Sequence, residues 1–284
     1  LHLHDGDATA ASRLAHHFRV ADVNVRVEAP ERILAIVDTM LARVPRFDAG
    51  DAAEITLVVT ANDDAWEIDG GDGTRQLLSG GCVGAQIAGA LVSTAVRRVA
   101  ANRAMIPMRA AVMERNGRAL GMVGDDWESA ITLAAHLHAR GWHYVGGDHA
   151  LFDPATRAVA CVQKSLYINS SSISQLPTRY RRAVEASPWY VTPQGISFYA
   201  VDPNETGTAH AWSSGARLCA LVVVDGTMVD NASLESVEAR QLQDERFARY
   251  QIDWDQVAAV DLRIGGGYVE TSDLIEHWFG GLPF

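Results

Sequence analysis

Residues 119–130 read Ala-Leu-Gly-Met-Val-Gly-Asp-Asp-Trp-Glu-Ser-Ala, and the rest of the chain is organised around them. Ala119–Val123 predicts a short apolar strand. A tight turn follows, then an amphipathic helix through Arg140. Strand, glycine turn and helix is the layout that cradles phosphates in G-x-x-x-x-G-K-[ST] loops. Laid on a G-x-x-G-x-G-K-[ST]-[ST] pattern, Gly121 and Gly124 keep their places. The third glycine becomes Asp126, the lysine Trp127 and the first hydroxyl Glu128, with Asp125 and Ser129 completing the stretch. The frame is that of a nucleotide site, with acids where a polyanion would sit.

Working outward, Met105–Met113 predicts an apolar strand interrupted by Pro107 and Arg109, and Asn116-Gly117 a hairpin turn into the return strand Arg118–Val123. The helix 128–140 ends at Gly141, a suitable C′ residue, and Trp142–Val145 forms the next strand. This strand–helix–strand unit suits a parallel crossover, with Gly146-Gly147-Asp148-His149 just after it. Two or three short strands, broken at Asp153-Pro154, are expected over 150–168. A polar loop over Asn169–Ser174, a helix over Arg179–Glu185 and strands at Trp189–Val191, Ile196–Val201 and Leu218–Val224 follow, the last ending at Asp225-Gly226. Helices are expected at Leu234–Tyr250 and Asp253–Ala259. Tyr268–Glu270 reads as a strand, and Ser272 as the cap of a final helix to Phe279.

Upstream, a strand at Val23–Val27 precedes a helix Glu31–Ala42 opened by Pro30. Ile55–Thr60 and Trp66–Asp69 pair as a hairpin, Gln76–Ser79 extends it, and a long helix spans about Val83 to Asn102. Residues 1–18, with His2, His4, His16 and His17, read as a loosely held leader. The expected organisation is an α/β chain with an N-terminal α+β subdomain (1–104, small antiparallel sheet) packed directly on a second domain (105–284).

A formal net charge of −11 and a pI near 5.3, with no basic run, argue against nucleic acid and anionic membrane as partners. Cys82, Cys161 and Cys219 are scattered, which suits a reducing compartment and gives no disulfide framework or zinc site. The apolar stretch Cys82–Val96 holds Gln86, Ser93 and Thr94 and ends in Arg97-Arg98, as a buried helix does. No signal-peptide pattern opens the sequence, and Leu-His-Leu-His-Asp-Gly, without a Met, reads as a trimmed start. The expected location is the cytoplasm.

Arg-Ala-Ala-Val-Met-Glu-Arg-Asn-Gly-Arg-Ala-Leu-Gly-Met-Val-Gly, followed by Ala-Arg-Gly-Trp-His-Tyr-Val-Gly-Gly-Asp-His-Ala-Leu-Phe, resembles the HPr kinase-related proteins. The resemblance covers roughly residues 105–284, and the N-terminal subdomain more loosely. It implies the phosphoenolpyruvate carboxykinase-type P-loop fold. In active relatives a His before the hairpin, a full P-loop with Lys and Ser/Thr, and a paired Asp after the next strand bind ATP and Mg²⁺ and deprotonate an acceptor hydroxyl. By resemblance the His position here is Arg109, the Lys is Trp127, the metal-binding hydroxyl is Glu128, and the paired Asp is Gly147-Asp148.

Phosphoryl transfer depends on positioned cations, and this loop offers acids. The expectation is therefore a degenerate HPr kinase-like protein, a pseudokinase with impaired ATP binding, working as a regulatory or binding partner of a protein or peptide. No cofactor is expected, and Asp125, Asp126 and Glu128 would cap the helix N-terminus from within the chain. Trp127 would plug the former phosphate pocket. The enzyme rival is a phosphotransferase using ATP and Mg²⁺. It would use Asp148 as acid/base or metal ligand, Asp225 as a Walker-B-like second ligand and Arg109 as replacement cation. A homo-oligomer is a third expectation. His136, His138, His143 and His149 fall close together, but loop and core roles are the commoner outcome and no metal site is assigned. Ser170–Ser172 carries no spaced His or acid and reads as a loop.

Overall fold

A computed structural model describes residues 13–41, 44–62, 65–79, 84–124, 126–191, 196–207, 211–237 and 257–283. The first sheet holds β1 (Arg13–Val20), β2 (Val23–Pro30), β3 (Ile55–Asn62), β4 (Ala65–Asp69) and β5 (Arg75–Ser79), in that spatial order. It is mixed rather than wholly antiparallel, because β2 and β3 run parallel across the intervening helix α1 (Glu31–Met40). Helix α2 (Gly84–Asn102) packs against α1 and β3.

The expected leader is a strand from Arg13 on. Ala21 and Asp22 adopt positive φ, fold β1 back on β2, and bury Phe18 and Val20. His16 Nδ1 contacts Asp38 at 2.7 Å and His17 meets the Phe47 ring edge-on. His2 and His4 lie outside the described residues.

The larger sheet is built on a long strand, β15 (Gly215–Val229). β8 (Arg118–Val123) pairs with it in parallel, and β7 (Ala111–Arg115) pairs antiparallel with β8 through the Asn116-Gly117 turn, both of whose residues have positive φ. β9 (His143–Gly146) pairs antiparallel with β7, so β8 and β9 are parallel with β7 between them. The crossover is helix α3 (Trp127–Ala139). The remaining strands on this side are β6 (Ile106–Met108), β10 (Ala150–Phe152) and β11 (Ala158–Ala160). β12 (Leu166–Asn169), β14 (Ser197–Val201) and β13 (Trp189–Val191) form a third, three-stranded sheet beside α4 (Thr178–Ala186).

Several expectations change in the C-terminal third. β15 does not end at Asp225-Gly226 but runs on to Val229, with a register shift between Asp225 and Met228 where it pairs with β17 (Ala258–Gly265). Residues 258 and 259 therefore begin a strand, not the end of a helix. Ser233–Ser236 is a strand, β16, antiparallel to β17, rather than the start of a helix; residues 238–256 lie outside the described residues. The last helix, α5, spans Tyr268–Gly281 and swallows the strand expected at 268–270. Ser272 is not its cap but a fully buried interior residue donating to the Tyr268 carbonyl at 2.7 Å.

Buried apolar side chains form three clusters, and one of them draws on both halves of the chain. Leu151 and Val162, from the second half of the chain, pack into the same core as Phe18, Val25 and Leu91 from the first. Another cluster surrounds α3, which is buried on nearly every side by β7, β8, β15, α4 and α5.

Candidate functional site

The turn that should hold a phosphate is short. β8 ends at Val123 and α3 begins at Trp127, so residues 124–126 make the whole connection. A loop of G-x-x-x-x-G-K type needs at least that much chain before its second glycine. Gly121 is not in the turn at all. It lies inside β8, where a Cβ would strike the Leu221 side chain on β15. Gly124, at φ +143°, brings the backbone against β15, and a Cβ there would fall on the Val224 carbonyl. Both glycines serve the packing of strand on strand.

The helix N-terminus is filled from within. Asp126 is the N-cap of α3 and accepts the Ser129 N–H at 3.1 Å. Its second oxygen accepts from the Ser129 hydroxyl, which itself accepts from Tyr268 Oη at 2.9 Å. The one hydroxyl of this stretch is thus committed at both ends. Burial, with the nearby Asp126 and Glu128 carboxylates, raises the Tyr268 phenol above its ordinary range, against the Ser129 bond that lowers it. Glu128 accepts from Asn169 Nδ2, from Ser171 Oγ at 3.0 Å and from Ser172 Oγ at 3.2 Å. Asn169–Ser174 is not an open loop: Asn169 caps a 3-10 helix over Ser170–Gln175 through the Ser171 N–H, and that turn braces Glu128. Trp127 is half-buried, with the exposed Arg109 guanidinium 5.7 Å above its ring. The contact is of cation–π type, with Trp127 the partner of Arg109. Asp125 lies outside the described residues.

Asp148 follows β9 in the tight link to β10, and it has a partner that the motif reading missed. Lys164 Nζ, on a side chain only 5% exposed, binds Asp148 Oδ2 directly and lies 4.6 Å from the Tyr167 ring. His149 Nδ1 is 3.0 Å from Asp148 Oδ1, a close contact without the alignment of a hydrogen bond. Burial raises the Asp148 pKa, but Lys164 and then His149 outweigh it and hold the carboxyl well below its ordinary range. One signal was available: Lys164 is the only lysine in the sequence. His149 Nε2 reaches Ser93 Oγ of α2 at 3.5 Å. His143 does not join this group; it contacts Glu114 at 3.2 Å. Among the described residues no three His, Cys, Asp or Glu side chains gather as a metal site would need. Asp225 is paired through its backbone within β15, opposite Arg263.

No protein-family model matches the chain, and neither does any curated protein. Among solved structures, the Hpr(Ser) kinase/phosphatase from Coxiella burnetii is similar over 61% of this chain and 90% of its own, at 13% identity and a TM-score of 0.32. A likeness that slight is one of distant fold and carries no activity, substrate or site residue to this chain. No helix among the described residues is long and apolar enough to cross a membrane.

Proposed function

We propose that this chain is an HPr kinase-like α/β protein whose nucleotide frame has been closed by its own side chains, a pseudokinase acting as a regulatory or binding partner of a protein or peptide in the cytoplasm. The observation that carries the reading is the start of α3. Asp126 holds the N–H and hydroxyl of Ser129, and Glu128 is braced by three donors. A helix N-terminus attracts phosphate through unpaired N–H groups and a partial positive charge. Here an internal carboxylate takes that role. A phosphate oxygen about 4 Å from either acid would meet roughly 4 kcal/mol of repulsion per pair of unit charges at an effective dielectric near 20.

The phosphotransferase alternative asks Asp148 to take a proton or a metal and Arg109 to supply a cation. Lys164 already neutralises the first and Trp127 engages the second, so the partner reading is preferred.

Calorimetry with ATP and Mg²⁺ tests it. The expected outcome is no saturable heat, both for the natural chain and for a Trp127→Lys, Glu128→Ser double variant, because Asp126 still fills the start of α3 in each. Saturable micromolar binding by the natural chain would sink the proposal. Binding gained by the double variant alone would show that Trp127 and Glu128, not Asp126, close the site.

A further inference from the structure

One concavity of the molecule is lined by no residue of the β8–α3 turn. It is a cavity of about 690 Å³ between the β1–β2 turn, the residues after α2 and the β10–β11 hairpin with its continuation. That volume is within the range of small-molecule sites, which favour junctions between packed units. Its apolar wall includes Val20, Val44, Pro45, Met105 and Val162.

The polar groups at this wall are unequal. Arg19 spends Nε on Asn24 Oδ1 at 3.1 Å and makes no ion pair among the described residues. Arg103 gives one donor to the Asp22 carbonyl at 3.0 Å and reaches Glu54 only at 3.8 Å. Each guanidinium carries five N–H donors, so both keep several for a guest. The acids have less to offer. Asp153 is consumed by its own turn, accepting from the Ala155 N–H at 2.9 Å and the Thr156 hydroxyl at 2.5 Å. That leaves Asp22, exposed at the turn.

Neither a histidine nor an activated thiol stands in the lining to act on a guest. Burial pushes the Cys161 thiol up to about 12, leaving it protonated at neutral pH. We infer that this cavity is a binding site for a small organic anion with an apolar body, its charged end held by Arg19 and Arg103 and its body against the Val44–Pro45 and Val162 wall. None of these residues belongs to the β8–α3 turn, so the inference stands or falls independently of the proposed function.

The probe is 1-anilinonaphthalene-8-sulfonate, a single anionic group on an apolar frame, read by fluorescence and displaced by octanoate or by octylamine. The expected result is one saturable site per chain from which octanoate displaces the dye and octylamine does not. Arg19→Glu with Arg103→Glu is expected to weaken binding at least about tenfold, the worth of one charged hydrogen bond. Because Arg103 also tethers the β1–β2 turn, Ala158→Trp is the second variant. It adds bulk at the cavity wall from an exposed strand position and should abolish binding with the melting temperature unchanged. No saturable site, displacement by the cation as readily as by the anion, or full binding in the Ala158→Trp variant would each overturn the inference.

Discussion

Lys164 shows how one residue reassigns another. Asp148 stands where a kinase-like reading wants a free carboxylate, yet the lone lysine of the chain lies against it in a nearly closed setting. Removing one partner of such a pair costs more than the pair itself contributes, since the other charge is left desolvated. Lys164→Met is expected to destabilise the protein at neutral pH by about 3 kcal/mol, the lower end of the roughly 3–5 kcal/mol that such a loss costs, because Asp148 is 19% exposed. The pH dependence has a definite sign. Asp148 titrates lower in the folded chain than its ordinary 3.8, so the pair's stabilisation is present above that value and is lost as pH falls below it. Urea unfolding of both proteins should therefore show a gap at pH 7 that narrows below about pH 4. A gap that stays constant to pH 3 would refute the pairing.

Helix α3 was the most legible element. Its apolar spacing, its N-terminal acids and Gly141 place it within a residue of where it lies. Its surroundings were not legible. His138, 1% exposed, sits with Nδ1 2.5 Å from Tyr180 Oη, which donates to Tyr144 Oη at 2.9 Å. Burial, helped by Arg179 and His143, lowers the His138 pKa to about 3. The unfolded chain takes up that proton near 6.5 while the folded chain refuses it, so stability present above pH 6.5 drains away as pH falls toward 3. The slope is at most about 1.4 kcal/mol per pH unit. A His138→Leu variant should lose much less stability than the natural chain between pH 6 and 4.5, above the window in which Asp148 contributes. Equal slopes in the two proteins would contradict the assignment. Two of the elements misread from sequence share one cause. The helix expected at 253–259, whose last two residues open β17, and the strand expected at 268–270 are too short for periodicity to separate helix from strand. Pairing with β15 decides the first, and Gly267 at φ +96° starts the helix of the second.

At the scale of the whole molecule, the first sheet and the larger one share buried side chains. Leu151 and Val162 complete the core under β1–β3, Ser165 Oγ donates to the Thr39 carbonyl at 3.1 Å, and Ser93 meets His149. Elements that bury one another's apolar faces unfold together. Scanning calorimetry is expected to give one endotherm with calorimetric and van't Hoff enthalpies equal. Two resolved transitions, one belonging to residues before 104, would show that the sheets are independently stable.

By itself the sequence determined the local course of the chain around residues 105–150: strand, Asn-Gly turn, strand, acid-capped helix, Gly stop, strand. Those features rest on contacts between near neighbours, where spacing and residue type suffice. It also determined that acids, not a lysine, begin α3. Only the tertiary structure decided what those acids hold, that Gly121 and Gly124 answer to Leu221 and Val224, that Asp148 belongs to Lys164, and that Arg19 and Arg103 face one cavity. Apart from the Asp126–Ser129 cap, each of these pairs residues at least 16 positions apart, and no periodicity along the chain encodes which distant side chain will close on which.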